Sequence, residues 1–207
     1  MPEVIKLIFK DNSVIIELDN SEKLKVSYEA YSMYKIRSGL NLTVECYSEL
    51  QEESQKLGCK EKALNLLAVR ARSVEETRRF LNRKNFSDMH IEETIDFLKQ
   101  KGYLNDYEFS LSYIRAKMKS GRSGKDMIIR DLYRKGIGRK IIDKTIRESG
   151  ADVSDEESVF EFAMKKFMSV KDKEDSLMKV SNFLRGRGFD YETINKVLRR
   201  IKSDFNE

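Results

Sequence analysis

One spacing of apolar residues recurs three times in this chain of 207 residues and constrains its fold more than any other feature. In each copy an apolar residue is followed by others five, ten and fourteen positions later. The copies are Leu81, Phe86, Ile91 and Ile95; Leu132, Ile137, Ile142 and Ile146; and Leu184, Phe189, Ile194 and Leu198. They begin 51 and then 52 residues apart. Such self-similarity predicts tandem copies of one supersecondary unit, each covering its neighbour's apolar face.

The residues beside the second apolar position of each copy indicate a helix, a stop and another helix. The preceding residues are of types that tolerate the left-handed conformation that ends a helix. They are Asn85, Gly136 and Gly188. The following residues are acceptable N-caps for a new helix. They are Ser87, Gly138 and Asp190.

Another amphipathic stretch precedes each of these helix pairs. The stretches cover 63–71, 109–118 and 159–168. Four capping-box-like patterns predict helix starts. They are Ser73-x-x-Glu76, Asn105-x-x-Glu108, Ser123-x-x-Asp126 and Ser154-x-x-Glu157, while Gly102 and Gly150 supply stops. Each unit therefore consists of three helices in roughly 50 residues.

The amino-terminal part of the chain has a different period. Val4 to Phe9, Ser13 to Leu18 and Lys23 to Ser27 are short β-prone runs, which predict a three-stranded meander. A sheet this small needs a cover, which the helical-looking stretch 28–38 or the first repeat could supply. A fourth strand is possible over 43–48, and the polar stretch 51–58 is typical of a linker or a helix start.

We therefore predict a mainly α fold, a tandem array of three three-helix repeats preceded by a small β-rich N-terminal segment. The predicted boundaries are 1–50 for the β-rich segment and 58–104, 105–151 and 152–207 for the repeats. A composition of 40% hydrophobic and 36% charged residues suits small helical modules with large solvated surfaces better than one thick core.

Few residues are available for catalysis or metal binding. The single histidine, His90, lies in the first turn of a predicted helix, and we expect it at a surface or interface. Cys46 and Cys59 are expected to be buried free thiols, and with one histidine they complete no familiar zinc site. The stretch 121–125 resembles the end of a phosphate-binding loop but lacks that motif's first Gly and its final Ser or Thr. We predict no enzymatic activity, no cofactor and no metal.

The apolar runs are too short for a membrane span, which needs about 20 residues. Met1-Pro2-Glu3-Val4 also lacks the charged and apolar regions of a signal peptide. We therefore expect a cytoplasmic protein that does not contact membranes and is monomeric.

Positive charge is concentrated in the middle repeat. The net charge of the whole chain is +5, yet residues 106–150 alone hold twelve Lys or Arg against six Asp or Glu, a net charge of +6. Five basic residues and no acidic one lie between Arg115 and Lys125, with Gly and Ser among them. This stretch predicts a flexible basic loop between helices.

The corner between the last two helices of every repeat is also basic. In the middle repeat two basic pairs flank this turn close to a helix N-terminus, where phosphates or carboxylates are favoured. A continuous basic track indicates a nucleic-acid partner or an acidic protein groove; a generic lysine-rich surface is the alternative. The candidate contact residues are Arg70, Arg72, Lys84, Arg115, Lys117, Arg122, Arg134, Lys135, Arg139, Lys140, Arg185 and Arg187.

Three segments of the chain together resemble the RecX family, the bacterial regulators of the RecA recombinase. They are Ala63-x2-Leu66-Leu67-x2-Arg70-x-Arg72-Ser73-x2-Glu76, Lys101-Gly102-Tyr103-Leu104-Asn105-Asp106-x2-Phe109 and Leu132-Tyr133-Arg134-Lys135-Gly136-Ile137. The resemblance is close over about 60–150 and looser in the third repeat. One departure is Asn85, which stands where the family tends to have Gly.

The resemblance implies a regulatory function without catalysis. Members of the family are built of tandem three-helix repeats, bind along the groove of the RecA–single-stranded-DNA filament, and usually inhibit its ATPase and strand exchange. This chain would then act in DNA repair, homologous recombination and the SOS response. The alternative is a stand-alone DNA- or RNA-binding repeat protein, which would bind the nucleic-acid backbone and not the base edges.

Overall fold

The computed structural model describes residues 1–150, 155–171 and 175–205. Within these ranges the chain is mainly helical, with a small antiparallel sheet near its amino-terminal end, as the sequence predicts. Contacts divide it into two compact units. The first contains 1–72 and 76–104, and the second contains 73–75 and the residues from Asn105 onward.

The sheet of the first unit is the predicted meander. Its strands β1 (Val4–Lys10), β2 (Ser13–Leu18) and β3 (Lys23–Val26) pair in chain order, and both pairings are antiparallel. Alternation along β2 buries Val14 and Ile16 completely, and they pack with Leu24 and Val26 of β3. One face of the sheet therefore carries a core that needs a cover.

Two helices provide this cover. They are α1 (Tyr28–Met33) and α2 (Val44–Val69). Leu50 of α2 is completely buried in the sheet core, and the Lys25 N–H of β3 donates a hydrogen bond to Ser54 of α2 at 2.9 Å. The possible strand over 43–48 is wrong, because the Thr43 side chain accepts a hydrogen bond from the Cys46 N–H and starts α2 there.

The stretch 51–58 is neither a linker nor a helix start, since it lies inside α2. The same helix continues into the first repeat, whose other helices are α3 (Val74–Asn82) and α4 (Asp88–Gln100). Asn85 has a φ of +61°, and Ser87 caps α4, both as predicted. The recurring apolar residues Leu81, Ile91 and Ile95 are almost completely buried.

The second unit contains six helices in its described part, three for each of the remaining repeats. The first three are α5 (Asp106–Lys119), α6 (Lys125–Arg134) and α7 (Arg139–Ser149). The last three are α8 (Glu156–Met168), α9 (Ser176–Gly186) and α10 (Tyr191–Phe205). Each set surrounds its own apolar core, to which the recurring residues Leu132, Ile137, Leu184 and Phe189 contribute. The flexible loop expected over 115–125 is wrong in its first half, because α5 continues to Lys119.

The N-caps that the sequence predicts for the second unit are observed at some helices only. Asn105 caps α5 as predicted, since its side chain accepts from the N–H groups of Tyr107 and Glu108. The cap predicted at Ser123 is wrong, because α6 starts one residue later and Gly124 is its N-cap. Ser154 lies outside the described residues, and the cap of α8 is Asp155, which accepts from the Ser158 N–H.

The N-cap of α6, Gly124, has no side chain to accept hydrogen bonds from the first N–H groups of the helix. Backbone carbonyls of the third repeat accept them instead. The Gly124 N–H donates to the Arg187 carbonyl at 2.9 Å, and the Asp126 N–H donates to the Gly188 carbonyl at 3.3 Å. A Cβ on Gly124 would lie 2.1 Å from that Gly188 oxygen. Gly188 itself has a φ of +79°, and a Cβ there would lie 2.4 Å from the Met127 nitrogen. The backbones of the two repeats therefore touch where only glycine fits. We call this contact the glycine seam.

Gly188→Ala should lower the free energy of unfolding by at least about 2 kcal/mol, because it adds a left-handed-conformation penalty to a clash with backbone. Gly186→Ala is the matched control. It lies at the end of α9 with open space around it, so the added methyl should stabilise the helix by about 0.5–1 kcal/mol. Urea denaturation followed by circular dichroism measures both. Equal stability of the two variants would contradict the glycine seam.

A polar network also joins α2 to the β2–β3 turn. The Tyr47 hydroxyl donates to Glu22, and the Gln51 amide donates to the same carboxylate at 3.0 Å. These hydrogen bonds hold the pKa of the Glu22 carboxyl below its ordinary value of 4.5. A carboxyl with a lowered pKa stabilises the fold above its unfolded-state pKa and loses that contribution as the pH falls through its folded-state pKa.

Tyr47→Phe should therefore lower the free energy of unfolding by about 1 kcal/mol at pH 7. The difference from wild type should persist above about pH 5 and shrink below it, as Glu22 takes up its proton. Urea titrations between neutral and acid pH measure this. Tyr28→Phe is the control, because its hydroxyl donates to the Lys10 carbonyl at 2.8 Å and not to a carboxylate. A Tyr47→Phe difference that did not change with pH would count against the network.

Candidate partner-binding surface

Two of the predicted contact residues meet at one aromatic ring. The Nζ atoms of Lys117 and Lys135 lie 5.4 and 5.2 Å from the centroid of the Tyr113 ring, and Lys135 also lies 5.7 Å from that of Phe109. The Tyr113 hydroxyl donates to Asp131 at 2.8 Å, and Lys117 lies 3.9 Å from the same carboxylate. These lysines are partly buried and contribute to packing between α5 and α6, so they are less available to a partner than their charge suggests.

The basic residues around the α6–α7 turn are more exposed. Arg134 pairs with Asp131, and its side chain is 72% exposed. Arg139 pairs with Asp143 one helical turn away at 3.6 Å, and its side chain is 82% exposed. Lys140 is exposed and makes no ion pair with any residue that the structure describes. The Arg139–Asp143 pair is exposed on both sides and contributes little to stability, so a partner's anions can replace Asp143 at low cost.

The start of α7 is suited to anions by its composition. Its N-cap, Gly138, makes no side-chain hydrogen bond, and the first turn contains Arg139 and Lys140 without an acidic residue. The partial positive charge of a helix N-terminus adds to the two side-chain charges. The structure therefore agrees with the sequence on the location of this basic corner.

A second group of cations lies around a groove of about 400 Å³ that is lined by the third repeat and by Arg122 of the second. We call it the basic groove. It brings together two predicted residues, Arg122 and Arg187, and adds residues that the sequence analysis missed. The added residues are Lys165, Lys166, Phe162 and Phe183. The sequence pattern that could have indicated this groove is the Lys165-Lys166 pair at the end of α8, three positions after Phe162.

Aromatic rings form the floor of the basic groove. The ring centroids of Phe162 and Phe183 lie 5.1 Å apart. The Arg187 guanidinium lies 5.5 and 5.3 Å from these two centroids, and Lys166 Nζ lies 5.7 Å from that of Phe183. Each contact of this kind stabilises by about 0.5–1 kcal/mol at exposed sites. The rings therefore hold two of the cations in place.

The other predicted residues do not join either group. Arg70 ends α2, where it donates to the Ala71 carbonyl at 2.8 Å and to Glu76 at 3.3 Å. Arg72 is partly buried, and its Nε has no hydrogen-bond partner in the described chain. Lys84 lies 5.8 Å from the Phe80 ring centroid. Arg115 and Arg185 are exposed on α5 and α9.

The residues most often used in catalysis have structural roles. His90 was expected at a surface or interface, and its burial shows that the surface alternative is wrong; its two ring nitrogens lie 2.9 Å from Ser87 Oγ and 2.8 Å from Glu52 Oε1. Cys59 is a buried free thiol as predicted, whereas Cys46 is only partly buried. Burial raises the pKa of both thiols, which disfavours the reactive thiolate.

The described residues contain neither a metal-binding cluster nor a membrane-spanning helix. No group of three or more His, Cys, Asp or Glu side chains there is arranged to hold a metal ion. No helix in that part of the chain has the length and apolarity to cross a membrane. In the stretch 121–125, which resembles the end of a phosphate-binding loop, the Gly124 N–H donates to the Arg187 carbonyl of the third repeat.

These features define a class of protein: a tandem helical-repeat protein with basic surfaces on its second and third repeats. Family models agree. Residues 59–98 match the model described as RecX, first three-helix domain, and 105–146 match RecX, second three-helix domain. A protein named regulatory protein RecX from Clostridium perfringens (strain 13 / Type A) is 30% identical over 201 residues, covering 93% of this chain and 92% of its own length. The chain belongs to the RecX family of regulatory proteins.

Other relatives and solved structures are similar over most of the chain. Regulatory protein RecX from Clostridioides difficile (strain 630) is 28% identical over 193 residues, 92% of this chain and 90% of the relative. A crystal structure of regulatory protein RecX aligns with a TM-score of 0.69 over 95% of this chain and 98% of that one, at 18% identity. A RecX structure from Lactobacillus salivarius aligns with a TM-score of 0.60 at 23% identity, over 72% of this chain and 97% of that one. At these identities the two structures support the fold alone.

Lys135→Ala should lower the free energy of unfolding by about 1 kcal/mol, because it removes a cation held over two rings and the buried part of its stem. Lys140→Ala should change it by less than about 0.5 kcal/mol, since Lys140 is exposed. Urea denaturation of the two variants measures the difference. If both were equally stable, the division between packed and exposed cations would be wrong.

Proposed function

We propose that this chain binds in the groove of the RecA–single-stranded-DNA filament and inhibits RecA ATPase and strand exchange. The observation that carries the proposal is its membership of the RecX family along almost its whole length. On this proposal it acts in the cytoplasm as a monomer, without a cofactor, in DNA repair, homologous recombination and the SOS response.

The distribution of cations supports a binding function of this kind. Arg115, Arg139, Lys140 and Arg185 are exposed and are not needed to hold the cores of the repeats together. A filament of protein on DNA carries carboxylates on the protein and phosphates on the DNA. Both groups attract exposed Lys and Arg side chains.

The glycine seam supports a mechanism that depends on fixed distances between the cations of the second and third repeats. Because Gly124 and Gly188 join the second and third repeats backbone to backbone, the cations of these repeats are held at fixed separations. Several weak contacts on one rigid body add through effective concentration. A body bound in this way to successive RecA protomers would hinder the subunit movements that ATP turnover requires.

Purified protein added to RecA and single-stranded DNA should slow ATP hydrolysis at sub-stoichiometric ratios. The variant Arg115→Glu, Arg139→Glu, Lys140→Glu should lose at least tenfold in inhibitory potency, about 1.4 kcal/mol of binding, with an unchanged melting temperature. The reversal of Lys62, Lys101 and Lys202 to Glu is the matched control, since these lysines are also exposed and make no ion pair in the described chain. No inhibition by the wild-type protein at equimolar RecA would refute the proposal.

The same assay separates the alternative function. A stand-alone nucleic-acid-binding protein would bind naked DNA or RNA with steep salt dependence and leave RecA turnover unchanged at concentrations where DNA is in excess. Loss of inhibition in the control variant as well would point to non-specific charge effects.

A further inference from the structure

The basic groove, which the second and third repeats line together, has features that the regulation of RecA does not by itself require. Four cations, Arg122, Lys165, Lys166 and Arg187, line it, and its described lining contains no Asp or Glu. None of the four forms an ion pair with a residue that the structure describes. Elsewhere in the second unit exposed cations are often paired, as Arg200 is with Glu157 at 2.6 Å and Lys196 with Glu156 at 3.3 Å.

Like charges that face one groove repel each other and weaken the fold. An anion that lies among them relieves this repulsion and gains charge-assisted hydrogen bonds. The groove is long enough to involve residues from α8, the end of α9 and the loop before α6. A row of anions along a chain therefore suits it better than a single small ion.

The aromatic rings of the groove indicate which kind of polyanion binds there. Phe162 and Phe183 are partly buried, so each ring presents part of its surface to the groove. Grooves that combine cations with aromatic rings bind single-stranded nucleic acid, because cations follow the phosphates while unpaired bases stack on the rings. A duplex keeps its bases stacked and inside, and a peptide made of Asp and Glu alone offers no aromatic group to stack on the rings.

We propose that the basic groove binds a single-stranded nucleic acid, with its phosphates on Arg122, Lys165, Lys166 and Arg187 and a base against Phe162 and Phe183. This deepens the proposed function, on which its biological setting rests, by naming the partner of two predicted contact residues. The binding is independent of sequence, since the groove offers charge and ring surfaces without Asn or Gln side chains that would read base edges.

Fluorescence anisotropy with a labelled oligothymidylate, in the absence of RecA, tests the proposal on the full chain. Lys165→Ala combined with Lys166→Ala should weaken binding at least tenfold. It should also reduce the slope of log affinity against log salt concentration by about 1.4, which corresponds to two phosphate contacts on a single strand. Arg199→Ala combined with Lys202→Ala is the matched control, because these exposed cations lie on α10 outside the groove.

The stacking component is tested by Phe183→Leu, which keeps an apolar side chain while removing the ring. It should weaken binding to the oligothymidylate at least threefold and leave the salt slope unchanged. A melting curve of each variant verifies folding, and Phe162→Leu provides a second ring variant if Phe183→Leu unfolds.

Several results would overturn the proposal. These are an unchanged affinity in the Lys165 and Lys166 variant, an equal loss in the control variant, equal affinity for a duplex of the same length, or displacement of the oligonucleotide by polyglutamate at equal charge concentration. If oligonucleotide binding fails while RecA inhibition persists, the groove assignment falls and the proposed function stands. If RecA inhibition fails while oligonucleotide binding persists, the proposed function falls and the groove assignment stands.

Discussion

The arrangement of the second unit depends on one backbone contact, the glycine seam. The N-terminus of α6 has no side-chain cap, and its free N–H groups donate to the carbonyls of Arg187 and Gly188 in the next repeat. A helix start that another repeat completes couples the folding of both, because either repeat alone would leave these donors to water. The same contact fixes the spacing between the basic corner of α7 and the basic groove.

The cations of this chain serve two different purposes, which charge counting does not separate. Lys135 and Lys117 lie on aromatic rings, and Lys117 also lies beside Asp131, so both stabilise the packing of α5 on α6. Lys140 and Arg139 extend into solvent, where an exposed ion pair contributes little. Family membership is shown by similarity along the chain, whereas the contacts to RecA and to a nucleic-acid strand are proposals that these differences in exposure support.

Much of the fold was predictable because its signals are local. Left-handed stops at Asn85, Gly136 and Gly188 and side-chain caps at Ser87 and Asp190 involve residues close in sequence. Prediction was wrong where a local pattern was ambiguous. The stretch from Thr43 has β-branched residues that suit a strand, but the Thr43 cap and the burial of Leu50 against the sheet favour a helix.

The sequence by itself determined the three repeats, their helical corners, the amino-terminal meander and the concentration of charge in the middle repeat. Tertiary structure alone decided that Gly124 would start α6, that His90 would be buried beside Glu52, and that Lys165 and Lys166 would lie with Arg122 around two phenylalanine rings. The physical reason is range. Caps and apolar periods act within a few residues. Glu52 and His90, Gly124 and Arg187, and Arg122 and Lys165 instead stand about 40 or more positions apart in the sequence, and their meeting depends on how whole helices pack.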